Sequence, residues 1–124
     1  LADTSIWIDH LGAGDDALTQ LLDQNTILAH PWVTGEIALG TLSKRTEVIG
    51  LLRALPAATV ATDDEVLRLI EAESLSGRGI GYVDAQLLAA TRLTPDARFW
   101  TRDKRLAQAS AHLGLSFTPA PHPR

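Results

Sequence analysis

Apolar positions along the chain follow two alternating rhythms. Leu1 and Ala2 resemble the end of a buried strand, and Ile6, Trp7 and Ile8 are apolar again after a polar interval. From 15 to 24, Leu18, Leu21 and Leu22 fall on one side of a helix. TILAH (26–30) is a short continuous β-type run, and PWVTGEIALGTLS (31–43) returns to helical spacing with Pro31 suited to a helix start. RTEVIGLLRAL predicts a further helix that ends at Pro56. ATVA (58–61) predicts a strand, and DDEVLRLIEAESL a helix whose acidic opening suits the positive end of the helix dipole. The glycine-rich SGRGIGY breaks the rhythm and reads as a flexible loop. VDAQLLAATRL predicts a helix, ARFWT a strand, DKRLAQASAHL the last full helix, stopped by Gly114, and LSFT a final strand.

Strands alternating with helices imply a mostly parallel sheet covered on both faces, a three-layer α/β/α sandwich. Ligands of such folds sit beyond the carboxyl ends of the strands. Residues 1–118 are expected to form one domain, and the tail PAPHPR (119–124), with proline at every second position, to be extended. With 124 residues the chain is long enough for a single core. No Met is present, so the initiator residue and part of the first strand are expected to precede Leu1. No stretch approaches the ~20 apolar residues of a membrane span, and no signal-peptide pattern appears.

Charge and cysteine usage narrow the chemistry. Zero Cys excludes disulfides, thiolate metal sites and a Cys nucleophile, and fits a cytoplasmic location. The four His residues lack zinc-ligand spacing, and no GxSxG elbow is present. The net charge of −4 is not that of a bulk nucleic-acid binder, so any polyanion needs a local basic patch. Such a patch exists in the sequence: Arg98, Arg102, Lys104 and Arg105 fall close together, and Arg78 lies in the glycine loop. These residues are either solvated charges or contacts to a phosphate backbone. The GxGxG of that loop is no dinucleotide fingerprint, because a helix rather than a strand precedes it. Trp7, Trp32 and Trp100 read as core or interface residues before base-stacking platforms.

Four acids stand apart. Asp3 follows the first strand, where it either caps a helix starting near Ser5 or lines the ligand rim. Glu36 is the lone charge between Pro31 and Ser43, beside Val33 and Ile37, which predicts partial burial and makes it the least exposed of the four. Asp84 is the lone charge between Gly79 and Thr91, and Asp103 directly follows a strand and opens a helix. Helix capping would explain Asp84 and Asp103 one at a time. Together at one rim, however, four carboxylates raise each other's pKa. A hard divalent cation, Mg²⁺ or Mn²⁺, relieves that cost and keeps positions open for phosphate oxygens.

DTSIWID, the lone Glu in TGEIALG, YVDAQLLA and WTRDKRL, in this order and spacing, resemble the PIN domain, and more narrowly the VapC toxin ribonucleases of toxin–antitoxin pairs. The resemblance runs from Asp3 to about Phe117. It implies that Asp3, Glu36, Asp84 and Asp103 are metal-binding acids, with Thr4, Ser5 and Thr101 orienting them or the attacking water. It further implies cleavage of structured RNA such as transfer or ribosomal RNA, a homodimer, and inhibition by a cognate VapB antitoxin. Two alternatives stay open. A phospho-accepting receiver-like domain expects an acidic pair after the first strand, whereas here that strand gives only Asp3 and the pair Asp63–Asp64 opens a helix. A catalytically silent PIN-like scaffold would keep the fold and only bind a partner.

Overall fold

The computed structural model describes residues 1–119. Seven helices follow one another: α1 Thr4–Ala13, α2 Asp16–Asp23, α3 Pro31–Ala38, α4 Arg45–Ala54, α5 Asp63–Ala72, α6 Tyr82–Leu93 and α7 Lys104–His112. The apolar triplet after Asp3 is therefore helical. It buries Ile6 and Trp7 and leaves Ile8 outside. Helix α3 stops short of 43, and the Arg45 guanidinium donates to the carbonyl of its last residue, Ala38, and to that of Gly40 just beyond. Thr62 and Glu65 form a reciprocal capping box at the start of α5. The 76–82 stretch is a loop, and Gly77 and Gly79 take φ values of +78° and +77° that favour glycine.

Extended segments meet in parallel, as the alternation predicts, but only as isolated bridges. Trp100 donates to Leu1 O (2.9 Å) and Asp3 N to Trp100 O (3.0 Å); on the other side Phe99 N reaches Leu115 O (2.7 Å) and Phe117 N reaches Phe99 O (2.9 Å). The 99–100 segment thus lies between 1–3 and 115–117. Ala29 pairs separately with Ala57. The strands expected at 26–30, 58–61, 97–101 and 115–118 contract to these contacts, and no continuous sheet joins them among the described residues. Side chains explain part of the loss. Thr59 N donates to Thr94 Oγ1 (2.9 Å) and Ala61 O accepts from Gln86 Nε2 (3.0 Å), so 58–61 is tied to α6 instead of to a neighbouring strand.

The core gathers Ile6, Trp7, Leu18, Leu52, Val66 and Phe99 around α6, whose residues from Ala85 to Thr91 are all buried. Trp7 and Trp100 are core residues as expected, and Trp32 is not. No helix among the described residues is long and apolar enough to cross a membrane. The proline-rich tail beyond Pro119 lies outside the described residues.

Candidate active site

Asp3 ends the first extended segment and is also the N-cap of α1, so both readings of that residue apply. Its Oδ1 accepts from the backbone N–H groups of Ser5 (3.0 Å) and Ile6 (3.4 Å) and from the Ser5 hydroxyl; its Oδ2 accepts from the Thr101 hydroxyl. Both hydroxyls are held in turn: Ser5 Oγ accepts from Arg102 N (3.2 Å) and Thr101 Oγ1 from Asp103 N (3.1 Å). Backbone donors on the α7 side thus leave each hydroxyl proton for Asp3. A carboxylate 93% buried is tolerated because donors satisfy it.

The other acids reach the same rim from three helices. Asp103 caps α7 through Leu106 N (3.0 Å). Asp84 sits in the first turn of α6 and accepts from Gly81 N (3.0 Å). Thr4 donates to Glu36 Oε1 (3.0 Å), which ties α3 to the start of α1. Burial pushes the half-buried Asp84 carboxyl up; the Gly81 N–H opposes this, and the charges of Asp103, Asp3 and Glu36 raise it further. All three charges thus lie near enough to Asp84 to act on its titration.

One expectation fails. Glu36 is exposed, and Asp3 is the least exposed of the four. Helix α3 buries only Val33 and Ile37, and Glu36, one position before Ile37, turns outward over Thr4. Among the described residues no three carboxylate or imidazole groups converge tightly enough to enclose one ion.

The basic residues divide. Arg102, expected to face phosphate, forms ion pairs with Asp9 (3.2 Å) and Asp15. Asp15 caps α2 through Leu18 N (2.9 Å). Burial pushes its carboxyl up, but the Leu18 and Ala17 N–H groups and the Arg102 guanidinium more than offset this and hold it below the usual range. Arg98 donates to Gly114 O (3.0 Å), at the opposite end of its segment from Thr101. Arg78 folds back on Ser74 O (3.1 Å). Arg105 lies over Gly79 so closely that an added Cβ there would meet its Cδ at 2.8 Å. Lys104 and Arg105 are exposed in the first turn of α7, beside Asp103.

Sequence reasoning missed the Asp9–Arg102–Asp15 group, whose signal required reading 4–13 as a helix. It also missed an exposed pair, Trp32 and Tyr82, whose ring centroids lie 6.2 Å apart with a 45° tilt.

The PIN domain family model matches residues 1–111. Ribonuclease VapC32 of Mycobacterium tuberculosis (strain CDC 1551 / Oshkosh) is 48% identical over 116 residues, 94% of this chain and 94% of the relative. The protein of the same name from strain ATCC 25618 / H37Rv shows the same identity and coverage. No solved structure matches the chain.

Proposed function

The chain belongs to the PIN-domain family, in its VapC branch, and from that premise we propose that its four-acid rim cleaves phosphodiester bonds in RNA with Mg²⁺ or Mn²⁺. Family membership gives the α/β/α class and sets aside the receiver-like alternative. The observation that carries the site assignment is the hydrogen-bonded link from Asp3 through Thr101 to the Asp103 backbone, together with the Thr4 bond that ties Glu36 to the start of α1; burial first, and then the charges of Asp103, Asp3 and Glu36, raise the Asp84 carboxyl.

An all-oxygen, like-charged donor set suits a hard cation. Its loose arrangement suits Mg²⁺, which keeps several waters and needs only one or two direct carboxylates. Asp3 and Asp84, the less exposed acids, would hold the ion, with Glu36 and Asp103 reaching it through water. When bound, the ion supplies neutralising charge for the phosphate and a more acidic water. The chain does the rest. Ser5 and Thr101 fix Asp3, Thr4 fixes Glu36, and an exposed carboxylate accepts the proton of the water that attacks phosphorus in line. Lys104 and Arg105, with Arg78 of the glycine loop, steer the phosphate backbone, whereas Arg102 is taken up by Asp9 and Asp15 and braces α1 and α2.

The substrate is structured RNA, transfer or ribosomal. In the cytoplasm the enzyme works as a homodimeric toxin held in check by a VapB-type antitoxin. Support for that partner lies beside Glu36, where Ile8, Leu11, Gly12, Ile37, Leu42 and Val48 line an apolar groove and Ile8 is 59% exposed. An antitoxin seated there can lay an Arg across the carboxylates in bidentate geometry. The test is RNA cleavage by purified, antitoxin-free protein. Cutting is expected with Mg²⁺ or Mn²⁺ only; robust cleavage in EDTA, or no cleavage with either ion, defeats the proposal.

A further inference from the structure

Trp32 and Tyr82 are bulky rings left in solvent, 36% and 42% exposed, in a molecule that buries its other two tryptophans. Both are held stiffly. Trp32 N donates to His30 Nδ1 (3.0 Å), and the buried His30 ring meets the indole edge-on at 6.3 Å. The Tyr82 hydroxyl donates to Asp63 Oδ1 (2.6 Å). Their place in the fold is specific. Trp32 is one turn before Glu36 on α3, about 6 Å along the axis and on the same face. Tyr82 is two residues before Asp84 on α6. Trp32 therefore borders Glu36, and its ring contact brings Tyr82 to the same edge, on a different side of α6 from Asp84.

We propose that Trp32 and Tyr82 form a stacking platform for a nucleobase of the RNA next to the phosphate at the acid rim, an inference that rests on the ribonuclease reading above. Two considerations favour a base over other occupants. A nucleotide bound with its phosphate at the rim must put its base to one side, and beside Glu36 the Trp32 and Tyr82 rings offer an exposed apolar face. A net-negative rim also lacks attraction for the backbone, and stacking supplies affinity independent of charge. Rigid rings lose little entropy on binding, and Trp Nε1 at the exposed edge remains able to donate to the base.

Binding is read in the Asp84→Asn protein with a short single-stranded RNA and the same RNA made abasic. Because Trp7 and Trp100 are buried, fluorescence quenching by added RNA reports chiefly on Trp32. Intact RNA should quench strongly and abasic RNA weakly; with affinity read instead from the anisotropy of end-labelled RNA, Trp32→Phe should keep part of the RNA affinity that Trp32→Ala loses. In the active protein, Trp32→Ala should lower kcat/KM on intact RNA roughly tenfold to a hundredfold, mainly through KM, and erase the preference for intact over abasic RNA. Equal quenching by both RNAs overturns the proposal, as does an unchanged KM in Trp32→Ala. So does a shift of Trp32→Ala from dimer to monomer in sedimentation, which would make the pair an interface between two copies. If the wild type cuts no RNA at all, the ribonuclease reading fails on its own, and the quenching result still decides the stacking.

Discussion

Asp15 and Asp84 are both aspartates at the start of a helix, each accepting a backbone N–H, yet their surroundings drive them apart. Asp15 has the Arg102 guanidinium beside it, and its carboxyl is held low. Asp84 is half-buried and feels the charges of Asp103, Asp3 and Glu36, with no ion pair to a cation among the described residues, and its carboxyl is held high. The same residue type thus stabilises the fold at one place and strains it at the other. An acid whose titration is perturbed by burial and by several like charges is where function is expected. The basic residue that could have neutralised the rim, Arg102, is turned away from it by Asp9 and Asp15. This keeps the rim negative for a cation.

The largest contrast should be in cleavage. Asp84→Asn keeps the shape of the cap and should reduce RNA cleavage by about a hundredfold to a thousandfold, a loss typical of removing a group that stabilises charge in the transition state. Asp15→Asn should retain most of it. Comparable losses in the two variants would mean that the rim is not a separate site.

Thermal response to metal should sharpen the same divide. Free Mn²⁺ at 100 times its dissociation constant adds about 2.7 kcal/mol to a protein that binds it only when folded. For a domain of this size that is roughly 8–15 °C. The Asp15→Asn protein should gain as much as wild type, and the Asp84→Asn protein much less. Equal gains in all three would place the ion elsewhere.

Asp15 itself should matter to the fold. Removing the cap with Asp15→Ala costs about 1 kcal/mol, a fall of roughly 3–6 °C in melting temperature. Arg102 keeps Asp9, which limits the further loss. Because the folded Asp15 carboxyl titrates below its unfolded value, its stabilisation is present above the unfolded pKa near 3.8 and is lost as pH falls through the folded value. Melting wild type and Asp15→Ala across pH 2–6 should show their difference shrink toward the acid end; a constant gap would leave only the backbone cap.

The comparison also marks where sequence reading reached and where it stopped. Six of the seven helices follow from periodicity and punctuation, because Leu18, Leu21 and Leu22 or the buried run of α6 repeat at helical intervals. The seventh, α1, enters only as one of the two readings of Asp3, the cap of a helix near Ser5, because three consecutive apolar residues carry no helical period. Glu36 and Asp84 stand out in the sequence as lone charges between apolar stretches, and Asp3 and Asp103 as acids at strand ends; Ser5, Thr101 and Thr4 do meet Asp3 and Glu36. Exposure of Glu36 was not legible, since a wheel gives a residue's neighbours on its own helix but not what packs above them. The Arg102 ion pairs span 87 and 93 residues of chain, beyond any local pattern.

The smallest effect bears most directly on the electrostatics. Asp84 titrates above an ordinary carboxyl when folded, so the folded state binds its proton more tightly than the unfolded chain does. Stability therefore falls as pH rises from the unfolded value of 3.8 through the folded one, and above that the full penalty stands. Asp84→Asn removes the charge and keeps an oxygen for Gly81 N. At a partly exposed site, relief of like-charge contacts is worth ~0.5–1 kcal/mol, so the metal-free variant should melt about 2–5 °C higher at neutral pH. The advantage should vanish below pH 3.8, where the wild-type carboxyl is protonated in both states. Salt should shrink it as well, since these charges reach solvent. A variant that melts lower than wild type in EDTA at neutral pH would mean that the Asp84 carboxylate is a structural cap like Asp15, and the contrast between the two would collapse.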